Sequence, residues 1–233
     1  FGGWSAGDTV FSKTFDVVDM SVEVMDVEID VTGAENLSGE AQTNYAGKAE
    51  FDIDTLNPTI LAVERADADY TNAATVDFTV TFSEDVTGVD GSDFSLMSSV
   101  DDANIESVSG SDSVYTVTVS TGLTGGRIGL ALASVPTIQD AAGNNLTDLF
   151  ISGDNQDYTI ASTEVLLVSG DVFVEDVREA TADDLTVAVV DGELVVSSAS
   201  GAIAAGTGVS RISDSSVSVA LNAITGSDGI TVM

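Results

Sequence analysis

Carboxylates dominate the residues of this chain that could do chemistry: 39 Asp and Glu stand against 6 Lys and Arg, with no histidine and no cysteine. That combination excludes Ser-His-Asp and Cys-His nucleophile systems, and it excludes the usual zinc and transition-metal sites, because each needs an imidazole or a thiolate. What remains are oxygen donors. Carboxylates, amide carbonyls and backbone carbonyls are the ligands of a hard cation, and calcium takes about six to eight of them. Paired carboxylates also serve glycoside hydrolysis, where an acid and a base or nucleophile flank a sugar ring. Such a cleft needs aromatic platforms, whereas only 6% of this chain is aromatic, its one tryptophan, Trp4, is near the N-terminus, and its other aromatics alternate within apolar runs as core residues do. The expectation is therefore a protein that is not an enzyme, with no catalytic residue and with Ca2+ as the only candidate cofactor.

A formal charge of −33 argues against a nucleic-acid partner, whose phosphates must be neutralised by basic side chains, and against anionic lipid surfaces. The same surplus can be read as calcium coordination, as adaptation to a salty medium that screens self-repulsion, or as plain solubility. These three readings coexist. Hydrophobic residues make up 43% and the mean hydropathy is +0.25, so the charge sits on a folded surface and not on a disordered chain. The lack of cysteine removes disulfide staples, a pattern compatible with the cytosol and with large bacterial surface proteins. No apolar run approaches the roughly 20 residues that span a bilayer, so membrane insertion is not expected. The chain begins at Phe1 without a signal-peptide pattern, which suggests a mature fragment of something longer.

The elements that must position these carboxylates are strands. In Ala74 to Phe82 the apolar set Val76, Phe78, Val80 and Phe82 alternates with Thr75, Asp77, Thr79 and Thr81, a period of two with one buried face. Tyr115, Val117 and Val119 repeat the pattern, as do Ile128, Leu130 and Leu132, and also Val27, Ile29 and Val31. The run VEVMDVEID changes phase at Met25 and Asp26, which predicts a bulge. Asp191-Gly192 between two apolar runs predicts a two-residue hairpin turn, since both central positions of a type I′ turn need positive φ. Asp228-Gly229 predicts another turn. Two stretches also look alike: Thr9 to Asp19, Gly33 to Ala41 and Ala49 to Asp54 are answered about 104 residues later by Ser113 to Leu123, Thr137 to Asn145 and the strand holding Tyr158. Phe11 then matches Tyr115, Gly39 matches Gly143 and Phe51 matches Tyr158.

The predicted fold class is all-β, with tandem sandwiches followed by a further β-rich module. Residues 1–57 read as the second half of one sandwich plus a linker, 58–161 as a complete sandwich entered at Asn57-Pro58, and 162–233 as a separate module, truncated or solenoid-like. A half-sandwich would expose strand edges and apolar faces, so either its remainder has been cut away or another chain supplies it.

The segments NPTILAVERAD, VDFTVTFSEDVTGVDGSDFSL, VYTVTV and IQDAAGNNL resemble the bacterial immunoglobulin-like repeats found in tandem in large cell-surface and secreted proteins. The likeness covers about Pro58 to Ile160 and extends to Thr9 to Asp54 as the second half of a preceding unit, although that unit carries ENLSGE where the other carries QDAAGNN. It implies an extracellular stalk or spacer of adhesin type, with calcium at the domain joints and neighbouring domains or other copies of the same protein as partners. In an immunoglobulin-like sandwich the loop after Phe82 and the loop at Asp140 to Asn145 share the end where the linker enters. Glu84, Asp85, Asp140 and Asn144 are then expected to converge with Asp52 and Asp54, and Asp16 and Asp19 to lie at the exit of the preceding unit. Asp67 and Asp69 would serve the next joint, at Ile160 to Glu164. Two alternative functions stand beside the spacer: a subunit of a filament, sheath or surface layer completed by a neighbour's strands, and a module binding cell-surface glycans for a secreted enzyme. Some surface domains of this type also cross-link a buried lysine to an asparagine, which makes Lys13, on a strand with Phe11 and Phe15, and Lys48 candidates for an isopeptide bond.

Overall fold

The computed structural model describes residues 3–5, 10–36, 38–43, 45, 47–148, 156–176, 185–199, 202–213, 215–226 and 230–232, with backbone alone for 3–5, 10, 176 and 230–232. The regular elements are almost all β-strands, and the helical ones among the described residues are the 3-10 turns Gly91–Asp93 and Leu221–Ala223. It divides into two compact units: Phe1–Asn57 with Ala142–Asn144, and Pro58–Ala141 with Asn145–Met233.

In the first unit β1 (Gly3–Ser5) pairs with β2 (Val10–Ser12), and β3 (Glu23–Glu28) with β4 (Ala49–Asp54), both antiparallel. The strand expected from Thr9 to Asp19 is thus confined to β2. Residues 13–20 lie outside any strand, because an extended segment becomes a strand only when a neighbour takes up its backbone hydrogen bonds. The predicted bulge is present: Val24 pairs with Ile53 and Val27 with Phe51, leaving Met25 and Asp26 without ladder partners, and Asp26 takes φ +56°. Its N–H donates instead to Asp52 Oδ1 at 2.8 Å. The turn after β3 bridges Glu35 to Ala41, with Gln42 N–H donating to the Ala34 carbonyl at 2.8 Å and Gly39 at φ +76°. The matching residues Gln139 and Asn145 form the same bridge, with Leu146 N–H on the Ile138 carbonyl at 2.9 Å and Gly143 at φ +93°. Both turns need the left-handed position that glycine adopts without a Cβ clash.

The second unit opens with β5 (Ile60–Arg65), β6 (Tyr70–Thr71), β7 (Thr75–Phe82), β8 (Val86–Thr87), β9 (Phe94–Ser98), β10 (Asn104–Ser111), β11 (Val114–Ser120), β12 (Gly126–Leu132), β13 (Gln139–Asp140) and β14 (Tyr158–Ile160). Sheets ordered β10-β11-β7-β5 and β6-β14-β12-β9 face each other, and β13 pairs with β8 at one end. The alternation in β7 and β11 puts Phe78, Val80, Val117 and Val119 into the core from the first sheet, opposite Ile128, Leu130, Tyr158 and Ile160 from the second. All eight are wholly buried. Phe78 meets Tyr158 edge to face with ring centroids 5.2 Å apart. The Tyr158 hydroxyl is satisfied twice, donating to the Asp77 carbonyl at 2.7 Å and accepting Asp67 N–H at 3.1 Å.

The unit continues with β15 (Thr163–Val168), β16 (Asp171–Asp176), β17 (Leu185–Val190), β18 (Glu193–Ser198), β19 (Ile203–Ala205), β20 (Ser210–Ser213), β21 (Ser216–Ala220) and β22 (Ile230–Val232). They form sheets β19-β15-β16-β22 and β17-β18-β21-β20 over a second core of Val165, Val172, Val174, Leu194, Val196, Ile203, Val217 and Val219. Asp191 and Gly192 close the β17–β18 hairpin at φ +51° and +86°, as their sequence predicts. The turn expected at Asp228-Gly229 lies outside the described residues.

Candidate functional site

The acidic residues are distributed by the ends of the strands that carry them. Past the buried Phe82, Ser83 is tied to the strand entering at Pro58: its N–H donates to the Thr59 carbonyl at 2.9 Å, and its hydroxyl accepts Thr59 N–H at 2.9 Å. Glu84 follows, half-buried, and Val86 then pairs with Asp140 across β8 and β13. This brings one carboxylate oxygen of Glu84 within 4.8 Å of one of Asp140, whose residue is only 4% exposed. Two carboxylates so close repel one another. A divalent cation between them would turn that repulsion into attraction, with further oxygens supplied by backbone carbonyls or water.

The other expected ligands are set by their own strands and turns. Asp85 is exposed beside Glu84. In the first unit the Asn144 amide donates to the Asp54 carbonyl at 3.2 Å, and the Asp54 carboxylate accepts Leu56 N–H at 2.9 Å. Asp52 is occupied by the β3 bulge. Asp16 and Asp19 are exposed on the unpaired segment, where Asp19 accepts Ser21 N–H at 3.1 Å. Asp67 and Asp69 are exposed between β5 and β6, and the side chain that faces Asp69 is basic: Arg211 Nη1 lies 3.8 Å from its carboxylate. The guanidinium of Arg211 also stacks on Tyr70, 3.8 Å from the ring centroid. Close by, the Asn72 amide donates to Glu164 at 2.8 Å, and Ser162 and Thr163 both donate their N–H to the Ala202 carbonyl. This joint is held by ordinary protein contacts. Lys13 is exposed with its Nζ 5.5 Å from the Phe15 ring centroid, a solvated position unlike the buried shell that an isopeptide bond needs.

The residue that sequence reasoning missed is Asp93. It is wholly buried, receives the Thr137 N–H and hydroxyl on Oδ1 at 2.5 and 3.1 Å, and receives Asp90 N–H on Oδ2 at 2.8 Å. Its partner in this capping box, Asp90, accepts from the Ser92 hydroxyl and N–H, and these bonds lower its pKa below the usual aspartate value. The spacing Asp90-x-x-Asp93 was a visible signal for a capped turn. Elsewhere the Glu50 carboxylate, hydrogen-bonded to the Tyr45 hydroxyl, raises the Tyr45 pKa, and burial raises that of Tyr158.

Compared with known proteins, the chain matches no family model, no curated protein and no solved structure.

Proposed function

We propose that this chain is a structural segment of an extracellular protein: a spacer of tandem immunoglobulin-like sandwiches, stiffened by calcium and flanked by neighbouring domains of the same protein. The observation that carries this reading is the joint within the second unit. One core ends with Ile160 and the next begins with Val165, and of the four residues between them Ala161, Ser162 and Thr163 are buried and Glu164 is half-buried. A connection this short and this buried suits a part whose work is to hold distance. The Glu84–Asp140 pair is where calcium is proposed to act, because it combines a buried carboxylate with a second one in reach at the end where the chain enters the sandwich.

The test is a thermal melt in calcium and in chelator, with magnesium as control and ionic strength matched. Native-state binding raises the melting temperature, since free ligand at 100 times its Kd stabilises by about 2.7 kcal/mol. The expected result is a calcium-specific rise that the double variant Glu84→Gln, Asp140→Asn removes. Equal responses to calcium and magnesium that follow total salt alone would defeat the calcium proposal and assign the acidity to the medium.

A further inference from the structure

The first strand of the sandwich changes sheets, and the change builds a seam. β5 is the edge of one sheet beside β7, whereas β6, a few residues on, is the edge of the facing sheet beside β14. The chain enters where Thr59 is tied to Ser83, the residue after β7. It leaves at Ala161, whose N–H donates to the Thr71 carbonyl at 2.9 Å, close to Ala73 and Ala74, the residues before β7. Entry and exit are thus separated by the length of β7, about 25 Å. Both β6 and β14 run toward the exit, because they pair in parallel, Tyr70 with Thr159 and Thr71 with Ile160.

Side chains extend this short ladder in the same order along both segments. Arg65 N–H donates to Gln156 Oε1 at 3.0 Å, and Arg65 Nη1 to the Asp157 carbonyl at 2.8 Å. Asp67 N–H donates to the Tyr158 hydroxyl at 3.1 Å, and Thr159 N–H to the Asp69 carbonyl at 2.6 Å. Past Ala161 the Asn72 amide donates to Glu164 at 2.8 Å. The wholly buried Tyr158 also donates to the Asp77 carbonyl, which pins the middle of the seam to β7.

We infer that residues 65–72 and 156–164 form a mechanical lock that keeps the sandwich folded when the chain is under tension. A pull on the entering chain draws β5 and β6 toward the entry end, while a pull beyond Ala161 draws β14 the other way. The bonds of the seam lie across that direction, so they are sheared together. Opened from one end, the same bonds would break one after another. The β5–β7 ladder meets the pull first, and once β5 yields, the tension passes to the seam at Arg65. Forced unfolding is governed by a rate, and shear raises the barrier that sets it. The lock rests on the spacer reading, since it matters only in a chain that carries tension.

The test pulls the whole chain in two directions by single-molecule force spectroscopy. Handles first sit at the two chain ends; one is then moved to Ala73→Cys, an exposed position at the exit end of β6 in a chain without other cysteines. Rupture of the sandwich is recognised by its lengthening, about 350 Å for about 100 residues, and proportionately less from residue 73. The end-to-end rupture force is expected to be roughly twice that from residue 73 or more. The double variant Arg65→Met, Gln156→Leu should lower the end-to-end force by about a quarter or more and leave the other unchanged. Asn104→Ala, which loses a bond to Ser120 between β10 and β11, should change neither. A cooperative melt of each variant shows that it is folded. Equal forces in the two directions, or a loss in Asn104→Ala as large as in the double variant, overturns the inference and assigns the resistance to the core. A failed calcium melt at Glu84 and Asp140 leaves these forces as they are, and equal forces leave the calcium site standing, so the two proposals fail separately.

Discussion

Asp93 and Tyr158 are two wholly buried residues of the sandwich that carry polar groups, and each is held in its state for a different electrostatic reason. The Asp93 carboxylate gathers donors from Asp90 and Thr137 in a site closed to water. Asp93→Ala removes the hydrogen bonds that the exposed residues Asp90 and Thr137 make to a buried carboxylate, worth about 1.5–3 kcal/mol each for a charged acceptor. A loss of about 3 kcal/mol is expected in urea unfolding, with the slope of the transition unchanged. Tyr158 is kept neutral by burial, so its folded pKa stands above the unfolded value near 10. A raised pKa of this kind contributes stability that is complete below the unfolded value and is lost as pH rises through the folded one. The wild type should therefore lose melting temperature above about pH 10, and Tyr158→Phe should reduce that alkaline loss, with lower stability at neutral pH where its hydrogen bonds to Asp77 and Asp67 are missing. A Tyr158→Phe variant as alkali-sensitive as the wild type would contradict the assignment.

At the scale of the element, alternation makes strands but does not bury them. β7 is central, paired with β11 on one side and β5 on the other, and its Phe78 lies between two sheets. β3 carries a comparable apolar set with β4 as its single partner among the described residues. Phe78→Ala should cost about 3–5 kcal/mol through the cavity it leaves, while Val24→Ala, at an exposed position, should cost no more than about 0.5 kcal/mol. Chemical denaturation of the two variants compares them directly. The bulge at Met25-Asp26 and the hairpin at Asp191-Gly192 were legible because each is written in a few adjacent residues. Asp93 was legible as a capped turn and illegible as a buried clamp, since its Thr137 donors arrive from a distant loop.

For the molecule as a whole, the second unit places two cores in succession across a buried joint. The joint draws on Arg211, one of the six basic residues in the chain, which serves Tyr70 and Asp69 together. A cation–π contact at a partly exposed site contributes about 0.5–1 kcal/mol, and a surface ion pair about 0–1 kcal/mol. Arg211→Ala should accordingly lower stability by about 1 kcal/mol and speed proteolysis around residues 161–163. Unchanged cleavage there would mean that the buried backbone alone holds the joint.

The sequence by itself determined the β class, the strand pattern of the sandwich, the hairpin and bulge, and the absence of imidazole and thiolate chemistry. These follow from residue type and short spacing, which act locally. Tertiary structure alone decided which apolar faces are covered, that Glu84 and Asp140 approach one another while Asp69 meets Arg211, and that Asp93 is buried. Such outcomes depend on which distant strands come to lie side by side, and a carboxylate's neighbours are set by that pairing and not by its own position in the chain.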